Sequence, residues 1–184
     1  MVFQQSTSIA YCHTNVYNNS KIFGIATYYS LLLKERYKMN YLECENHWES
    51  LIDKYDNEGY CKLTSDERIW FNVRLLLDAV DNGGLISFYY NHGADYLQET
   101  IEDLKKLKAQ EVIALIEQVN SLFPNLTPPR DIDERNDIIS SWDDEDKDLN
   151  KLLESVDNKF YALEEELELK LDPIIRQVLS HEEQ

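Results

Sequence analysis

The chain is poor in residues that interrupt helices, with five glycines and four prolines among 184 residues. Between them lie long segments in which apolar residues recur every three or four positions. That spacing is typical of helices and unlike the short strands and frequent turns of a β-sandwich. Because 43% of the residues are hydrophobic, the chain can build its own core. The pattern predicts an all-α fold, a single compact domain of about seven to eight helices.

Cysteine is also scarce. Cys12, Cys44 and Cys61 form an odd set without a repeating spacing, which argues against a disulfide framework and favours a reducing compartment. The longest strongly apolar run, residues 22–33, is too short to span a bilayer. The N-terminus has no basic region ahead of an apolar core, so no secretion signal is predicted. We expect a cytoplasmic protein without a membrane segment.

Patterns for metal binding or catalysis are weak. Cys44 and His47 are spaced C-x-x-H. A zinc site would need a second pair of ligands, and the sequence offers none outside the N-terminal region. The acidic run 143–148 lacks the turn glycine and the distal glutamate of a calcium loop. Ser87 and His92 lie five residues apart without a nucleophile elbow, so Ser87 is expected to bond the backbone. We predict no metal, no cofactor and no enzymatic activity.

Basic residues are outnumbered: 18 Lys and Arg face 35 Asp and Glu, giving a net charge of −17. Residues 1–130 hold 17 acidic and 12 basic residues, whereas residues 131–184 hold 18 acidic and 6 basic ones. This balance excludes a basic face that binds nucleic acid directly. The acidic C-terminal third, from residue 131, carries most of the charge.

Residues 1–19 show no helical period and are predicted to be an N-terminal arm, followed by an all-helical domain over residues 20–184. Helices are predicted to begin after Ser20, Asn40 and Thr64, the last with Glu67 completing a capping box. Residues 130–148 could be a loop or a short helix. Asp172-Pro173 is predicted to start a separate final helix, since proline favours a first turn.

The stretch VDNGGLISFYYNHG, residues 80–93, lies between two helical patterns. The first places six apolar residues on one face: Ile69, Trp70, Val73, Leu76, Leu77 and Val80. The Asn82-Gly83 pair is expected to adopt a left-handed helix cap, and Leu85–Tyr90 to form a short aromatic element. We therefore predict a helix-loop-helix corner. Its asparagines and glycines serve backbone geometry in one interpretation. In the other, an exposed edge lines a small binding cleft; that edge comprises Asn82, Tyr90, Asn91 and His92.

The corner resembles the signature of the bacterial DNA mimic protein 19 family, carried here by Asn82, Gly83, Gly84, Phe88, Tyr89 and Asn91. The likeness continues through Leu122-Phe123-Pro124, Pro129, Asp131, Arg135 and residues 149–161, and covers roughly residues 45–175. Three positions depart from the family. Leu85, Ser87 and Lys108 stand where relatives usually have Phe, Gln and Gly.

The resemblance implies an acidic protein that occupies the DNA-binding face of a DNA-binding protein such as a transcription factor. It also favours a homodimer over a monomer. On the last long helix a carboxylate stripe is predicted opposite the apolar residues, formed by Glu154, Asp157, Glu165 and Glu168 with Tyr161 in the middle. With the acidic segment before it, the predicted contact set is Asp131, Asp133, Glu134, Asp137, Asp143, Asp144, Glu145, Asp146, Asp148, Glu154, Asp157, Glu165 and Glu168.

Two alternatives stay open at this stage. An acidic helix face is often ordinary solvated surface, and a large net charge keeps a protein soluble. The protein could also be a small-molecule or peptide binding module that uses the cleft beside the glycine pair, with the acidic face incidental.

Overall fold

The structure, a computed structural model, describes residues 41–143 and 145–182. The predicted N-terminal arm and the helix after Ser20 lie outside these ranges. The chain divides into two compact units, Met1–Ser50 and Leu51–Gln184. The core and the surfaces discussed below lie within the second unit. Among the described helices, none combines the length and the apolar character needed to cross a membrane.

The described residues form seven α-helices and no strand, which confirms the all-α prediction. Three short 3-10 turns, Tyr60–Lys62, His92–Tyr96 and Pro124–Leu126, connect them. The helices are α1 (Tyr41–Glu58), α2 (Ser65–Gly83), α3 (Leu85–Tyr90), α4 (Leu97–Lys106), α5 (Gln110–Asn120), α6 (Ile132–Ser140) and α7 (Lys147–Glu182).

Helix α2 lies at the centre and packs against α3, α4 and α7. Its predicted apolar face is buried as expected, with Trp70, Val73 and Val80 fully removed from solvent. Helix α5 packs on α4 and α7, whereas α6 packs on α3. Burial of these apolar side chains is the main favourable contribution to folding.

The start of α2 matches its sequence pattern. The Thr64 hydroxyl accepts a hydrogen bond from Glu67 N, and the Glu67 carboxylate accepts one from Thr64 N at 2.6 Å. Lys54 Nζ contacts the same carboxylate at 2.8 Å. The predicted capping box is therefore present, and it also joins α2 to α1.

The turn that ends α4 contains Lys108, one of the three positions that depart from the family resemblance. Lys108 has a left-handed backbone with φ of 56°, a conformation in which glycine is unstrained. Its N–H donates to Lys105 O, and Ala109 N donates to Leu104 O at 2.9 Å, the two bonds of a Schellman helix end. A lysine thus occupies a position whose geometry favours the glycine that relatives usually have.

The prediction of a separate helix at Asp172-Pro173 is wrong, because α7 continues through Pro173 to Glu182. Proline removes the hydrogen bond to the carbonyl of Leu169, four residues earlier, and its ring crowds that carbonyl. The Leu169 side chain is exposed. Leu171 and Val178 are buried on either side of the proline. Packing therefore holds both parts of the helix against the core.

Candidate protein-binding surface and the glycine corner

In the stretch predicted to form the corner, the left-handed residue is one position later than expected. Helix α2 continues through Gly83, and Gly84 has φ of 78° and ψ of 175°. Gly84 N donates to Val80 O at 2.8 Å, and α3 begins immediately afterwards at Leu85. Gly84 is the residue that needs freedom from a side chain.

The side chain of Asp157 on α7 contacts this corner. Its Oδ1 accepts a hydrogen bond from Leu85 N at 2.7 Å, so the carboxylate satisfies the first backbone donor of α3. A Cβ at Gly84 would collide with that carboxylate. The glycine is therefore required both by backbone conformation and by the approach of Asp157.

Arg135 on α6 binds the other end of α3 and is completely buried. Its Nε donates to Tyr89 O at 2.9 Å, and its Nη2 donates to Asn91 O at 3.0 Å and to Asp95 Oδ1 at 2.6 Å. Its Nη1 donates to Pro129 O and Arg130 O. One guanidinium thus joins the corner to the proline-rich loop that precedes the acidic segment.

The polar edge of the corner is engaged locally. Asn82 Nδ2 donates to Asp78 O, and Asn91 Nδ2 donates to Ser87 O, each at 2.6 Å. His92 is exposed and its Nδ1 lies 2.8 Å from Asp95 Oδ2, whereas Tyr90 is exposed. These bonds support the interpretation in which the asparagines serve backbone geometry.

Most of the predicted acidic contact set is exposed. We define the acidic patch as its exposed members in α6, the following loop and the first turn of α7: Asp131, Asp133, Glu134, Asp137, Asp143, Glu145, Asp146 and Asp148. Asp144 lies outside the described residues. The segment 131–148 contains two basic residues, of which Arg135 is buried and Lys147 is exposed. The carboxylates of the patch consequently face solvent with little basic charge beside them in the chain.

Three members of the acidic patch also bond the backbone. Asp131 Oδ1 accepts from Asp133 N and Glu134 N and caps α6. Asp143 Oδ1 accepts from Glu145 N at 2.9 Å. Asp146 Oδ1 accepts from Asp148 N at 2.8 Å and caps α7. These carboxylates combine surface charge with a local structural role.

Farther along α7 the structure divides the predicted stripe. Glu154, Glu165 and Glu168 are exposed, but Asp157 is half-buried and bonded to Leu85 N. Tyr161, midway in the stripe, donates its hydroxyl to Val80 O at 3.2 Å. Asp157 and Tyr161 therefore face α2 and α3, and the stripe does not lie opposite the apolar residues along its whole length.

One family model, that of the DMP19-like protein, matches residues 61–178, a range that includes the glycine corner, Arg135 and Asp157. The chain belongs to the DMP19-like protein family. Neither a curated protein nor a solved structure matches the chain.

The DMP19-like chain also contains a carboxylate cluster that its sequence does not reveal. Asp81 on α2 and Glu164 on α7 share a side-chain hydrogen bond, with Glu168 nearby. Burial, followed by the charge and hydrogen bond of Asp81 and the charge of Glu168, raises the pKa of Glu164 to about 7. Glu168 is exposed as a residue, but desolvation of its carboxylate and the Asp81 charge also raise its pKa, with Arg74 opposing them. A helical wheel of α7 alone cannot show this cluster, because Asp81 belongs to α2.

Over the described ranges of the DMP19-like chain, no group of three or more His, Cys, Asp or Glu residues is arranged to hold a metal ion. Cys44 is half-buried and Cys61 is exposed.

Proposed function

We propose that this DMP19-like protein binds a DNA-binding protein, such as a transcription factor, and blocks the face that would contact DNA. The supporting observation is the acidic patch, in which eight carboxylates are exposed while Arg135, within the same segment, is buried. Proteins contact DNA phosphates largely through Lys and Arg, and these contacts carry no direct sequence information. A carboxylate surface can therefore replace the phosphates, although it has no base pairs.

The spacing within the patch supports this substitution. The four carboxylates of Asp131, Asp133, Glu134 and Asp137 lie within seven residues. At about 1.5 Å per residue they extend over roughly 9 Å, or one charge per about 3 Å. Phosphates along one DNA strand are about 3.4 Å apart. The start of α6 therefore has a charge density similar to that of a single strand.

The proposed action is displacement without catalysis. The protein would compete with DNA for the partner, and would neither bind nucleic acid nor require a cofactor. We place this role in the cytoplasm, a reducing compartment that suits an odd set of three cysteines without a repeating spacing.

The test is a charge-neutral variant that leaves the capping carboxylates unchanged. It carries Asp133→Asn, Glu134→Gln, Asp137→Asn, Glu145→Gln and Asp148→Asn. A matched control carries the same number of neutral substitutions at exposed carboxylates outside the patch: Asp53→Asn, Asp56→Asn, Glu58→Gln, Glu111→Gln and Glu117→Gln. The two variants have the same net charge, so a difference between them reports position.

Immobilised wild-type and variant proteins are incubated with lysate of the source cells and eluted with rising salt. We expect the wild type and the control to retain a DNA-binding protein that the patch variant releases. Salt should weaken retention, because screening acts over roughly 8–10 Å near physiological ionic strength. The purified partner should then lose labelled DNA as this protein is added. Equal retention by all three proteins, or a complex that holds DNA and this protein together, would contradict the proposal.

A further inference from the structure

A cleft with a volume of about 190 Å³ lies between the Tyr60–Lys62 turn, the start of α2 and helix α4. It is separate from the acidic patch. Unlike the patch, it is lined by side chains of both charge signs: Arg68 and Lys106 are basic, and Glu99, Glu102 and Asp103 are acidic. Tyr60 and Ser65 complete its wall.

The inner wall is fixed by a buried hydrogen-bond network. Asn72 is 2% exposed, and its Nδ2 donates to Tyr60 Oη and to Asp103 Oδ2, both at 2.7 Å. Asp103, also buried, accepts a further bond from Lys106 Nζ at 2.7 Å. Tyr96 stacks on the Tyr60 ring with a centroid distance of 3.9 Å. The wall is therefore held in place before any ligand enters.

Two polar atoms at this wall have unmet hydrogen-bonding capacity. Arg68 Nη2 donates to Cys61 O at 2.9 Å, but Arg68 Nε is buried with no acceptor in the part of the chain that the structure describes. Asn72 Oδ1 is likewise buried and accepts no bond there. Buried donors and acceptors normally have partners. The Arg68 guanidinium also lies 5.3 Å from the Tyr60 ring centroid, which fixes its position.

The carboxylates on the acidic side of the cleft have weaker hydrogen-bond and ion-pair partners. Glu99 Oε1 lies 3.8 Å from Arg130 Nη2, and the Arg130 side chain is 71% exposed. Glu102 Oε1 accepts a long bond of 3.5 Å from Gln98. Exposed pairs at such distances contribute little. Both carboxylates can therefore turn toward a cationic group in the cleft.

We propose that this cleft binds a free amino acid through its charged backbone groups. The α-carboxylate would bind the Arg68 guanidinium, and the α-ammonium group would lie between Glu99 and Glu102. A lone anion would be repelled by these carboxylates, and a lone cation would leave the Arg68 guanidinium without an anionic partner. A zwitterion satisfies both sides of the wall, and its small size suits the volume. This site is independent of the proposed displacement of DNA.

The first test compares ligands. Each standard L-amino acid is added at millimolar concentration to the full chain, and amide resonances are followed by NMR. We expect at least one amino acid to shift the resonances around Tyr60 and Arg68. Its N-acetyl form, which lacks the ammonium group, and its carboxamide form, which lacks the carboxylate, should each bind about tenfold or more weakly. Absence of shifts for every amino acid, or equal binding of either blocked form, would overturn the proposal.

The second test compares variants for the amino acid that binds best. Glu102→Gln and Arg68→Gln should each weaken it about tenfold, whereas Glu111→Gln, a change at an exposed carboxylate outside the cleft, should leave affinity unchanged. Glu102 lies at the exposed rim, so Glu102→Gln should retain the wild-type melting temperature and keeps the test valid if Arg68→Gln unfolds. Unchanged affinity in the folded Glu102→Gln protein would also overturn the proposal.

Discussion

The guanidinium of Arg135 and the carboxylate of Asp95 form an ion pair at 2.6 Å in which one partner is fully buried and the other is partly exposed. The second oxygen of Asp95 contacts His92, an exposed residue. The same guanidinium contacts four backbone carbonyls. Asp95 therefore connects the buried centre of the corner with its surface.

Arg135→Met should destabilise the fold strongly. The substitution keeps an apolar stem but removes every donor, and it leaves Asp95 and the carbonyls of Tyr89 and Asn91 without their partner. The expected loss in unfolding free energy is about 3–5 kcal/mol. Urea denaturation measures it. Arg130→Gln is the control, because that side chain is 71% exposed and should change stability by less than about 0.5 kcal/mol. Similar losses in the two variants would show that burial of Arg135 is not decisive.

Gly84→Ala should cost at least about 2 kcal/mol, because the backbone conformation is nearly exclusive to glycine and the new methyl group meets the Asp157 carboxylate. Gly83→Ala is the matched variant. Gly83 is helical, and its methyl group would meet only the Ser87 hydroxyl, which can rotate away. Thermal unfolding should therefore separate the two alanines clearly. If Gly83→Ala were the more damaging change, the assignment of the left-handed residue to Gly84 would be wrong.

Lys108→Gly should stabilise the protein. The left-handed conformation of Lys108 strains an L-residue, and relief of that strain outweighs the greater freedom of glycine in the unfolded chain by about 0.5–1 kcal/mol. Lys170 Nζ binds the Lys108 carbonyl, which the substitution retains. Lys105→Gly removes the same charge from a helical position and should instead cost about 1 kcal/mol. Differential scanning calorimetry should give melting temperatures that move in opposite directions.

Glu164→Gln should change how stability depends on pH. The folded-state pKa of Glu164 is raised from the ordinary glutamate value of 4.5 to about 7. The contribution of Glu164 to the free energy of unfolding is therefore fully present below its unfolded-state pKa. It is lost as pH rises through its folded-state pKa. The wild type should lose on the order of 1 kcal/mol across this window, after allowance for solvent screening. The unfolding free energy of the Glu164→Gln variant should not fall by this amount over the same pH range.

Urea denaturation at one pH below 4.5 and one above 7 measures this difference. The variant should be the more stable protein at the higher pH and should match the wild type at the lower one. Glu165→Gln, an exposed neighbour, serves as the control and should follow the wild type. Parallel pH profiles for wild type and Glu164→Gln would contradict the assigned environment.

The sequence predicted features that depend on neighbouring residues. Thr64 and Glu67 lie three residues apart, so their capping box is visible in the sequence and is present in the structure. The apolar face of α2 was predicted for the same reason. Pro173 shows the limit of this reasoning: proline is a local signal for a helix start, but tertiary packing of Leu171 and Val178 keeps α7 continuous.

The roles of individual site residues were less predictable, because their partners are far away in the chain. Asp157 appears in the sequence as one more surface carboxylate, yet its partner Leu85 N is 72 residues distant. Arg135 was recognisable as a family residue, but its bonds to Tyr89 and Asn91 span more than 40 residues. Exposure of the acidic patch could be predicted from its composition, since uncompensated charge seldom enters a core.

The Asn82-Gly83 pair has a consequence for the chemical durability of the protein. In a flexible chain, an asparagine followed by glycine readily deamidates, because the glycine nitrogen can attack the asparagine side-chain carbonyl and expel ammonia. Here Gly83 is held in α2, and the Asn82 amide nitrogen donates to Asp78 O at 2.6 Å. The folded helix restrains the approach that the reaction needs, so ageing at Asn82 should proceed mainly through unfolded molecules.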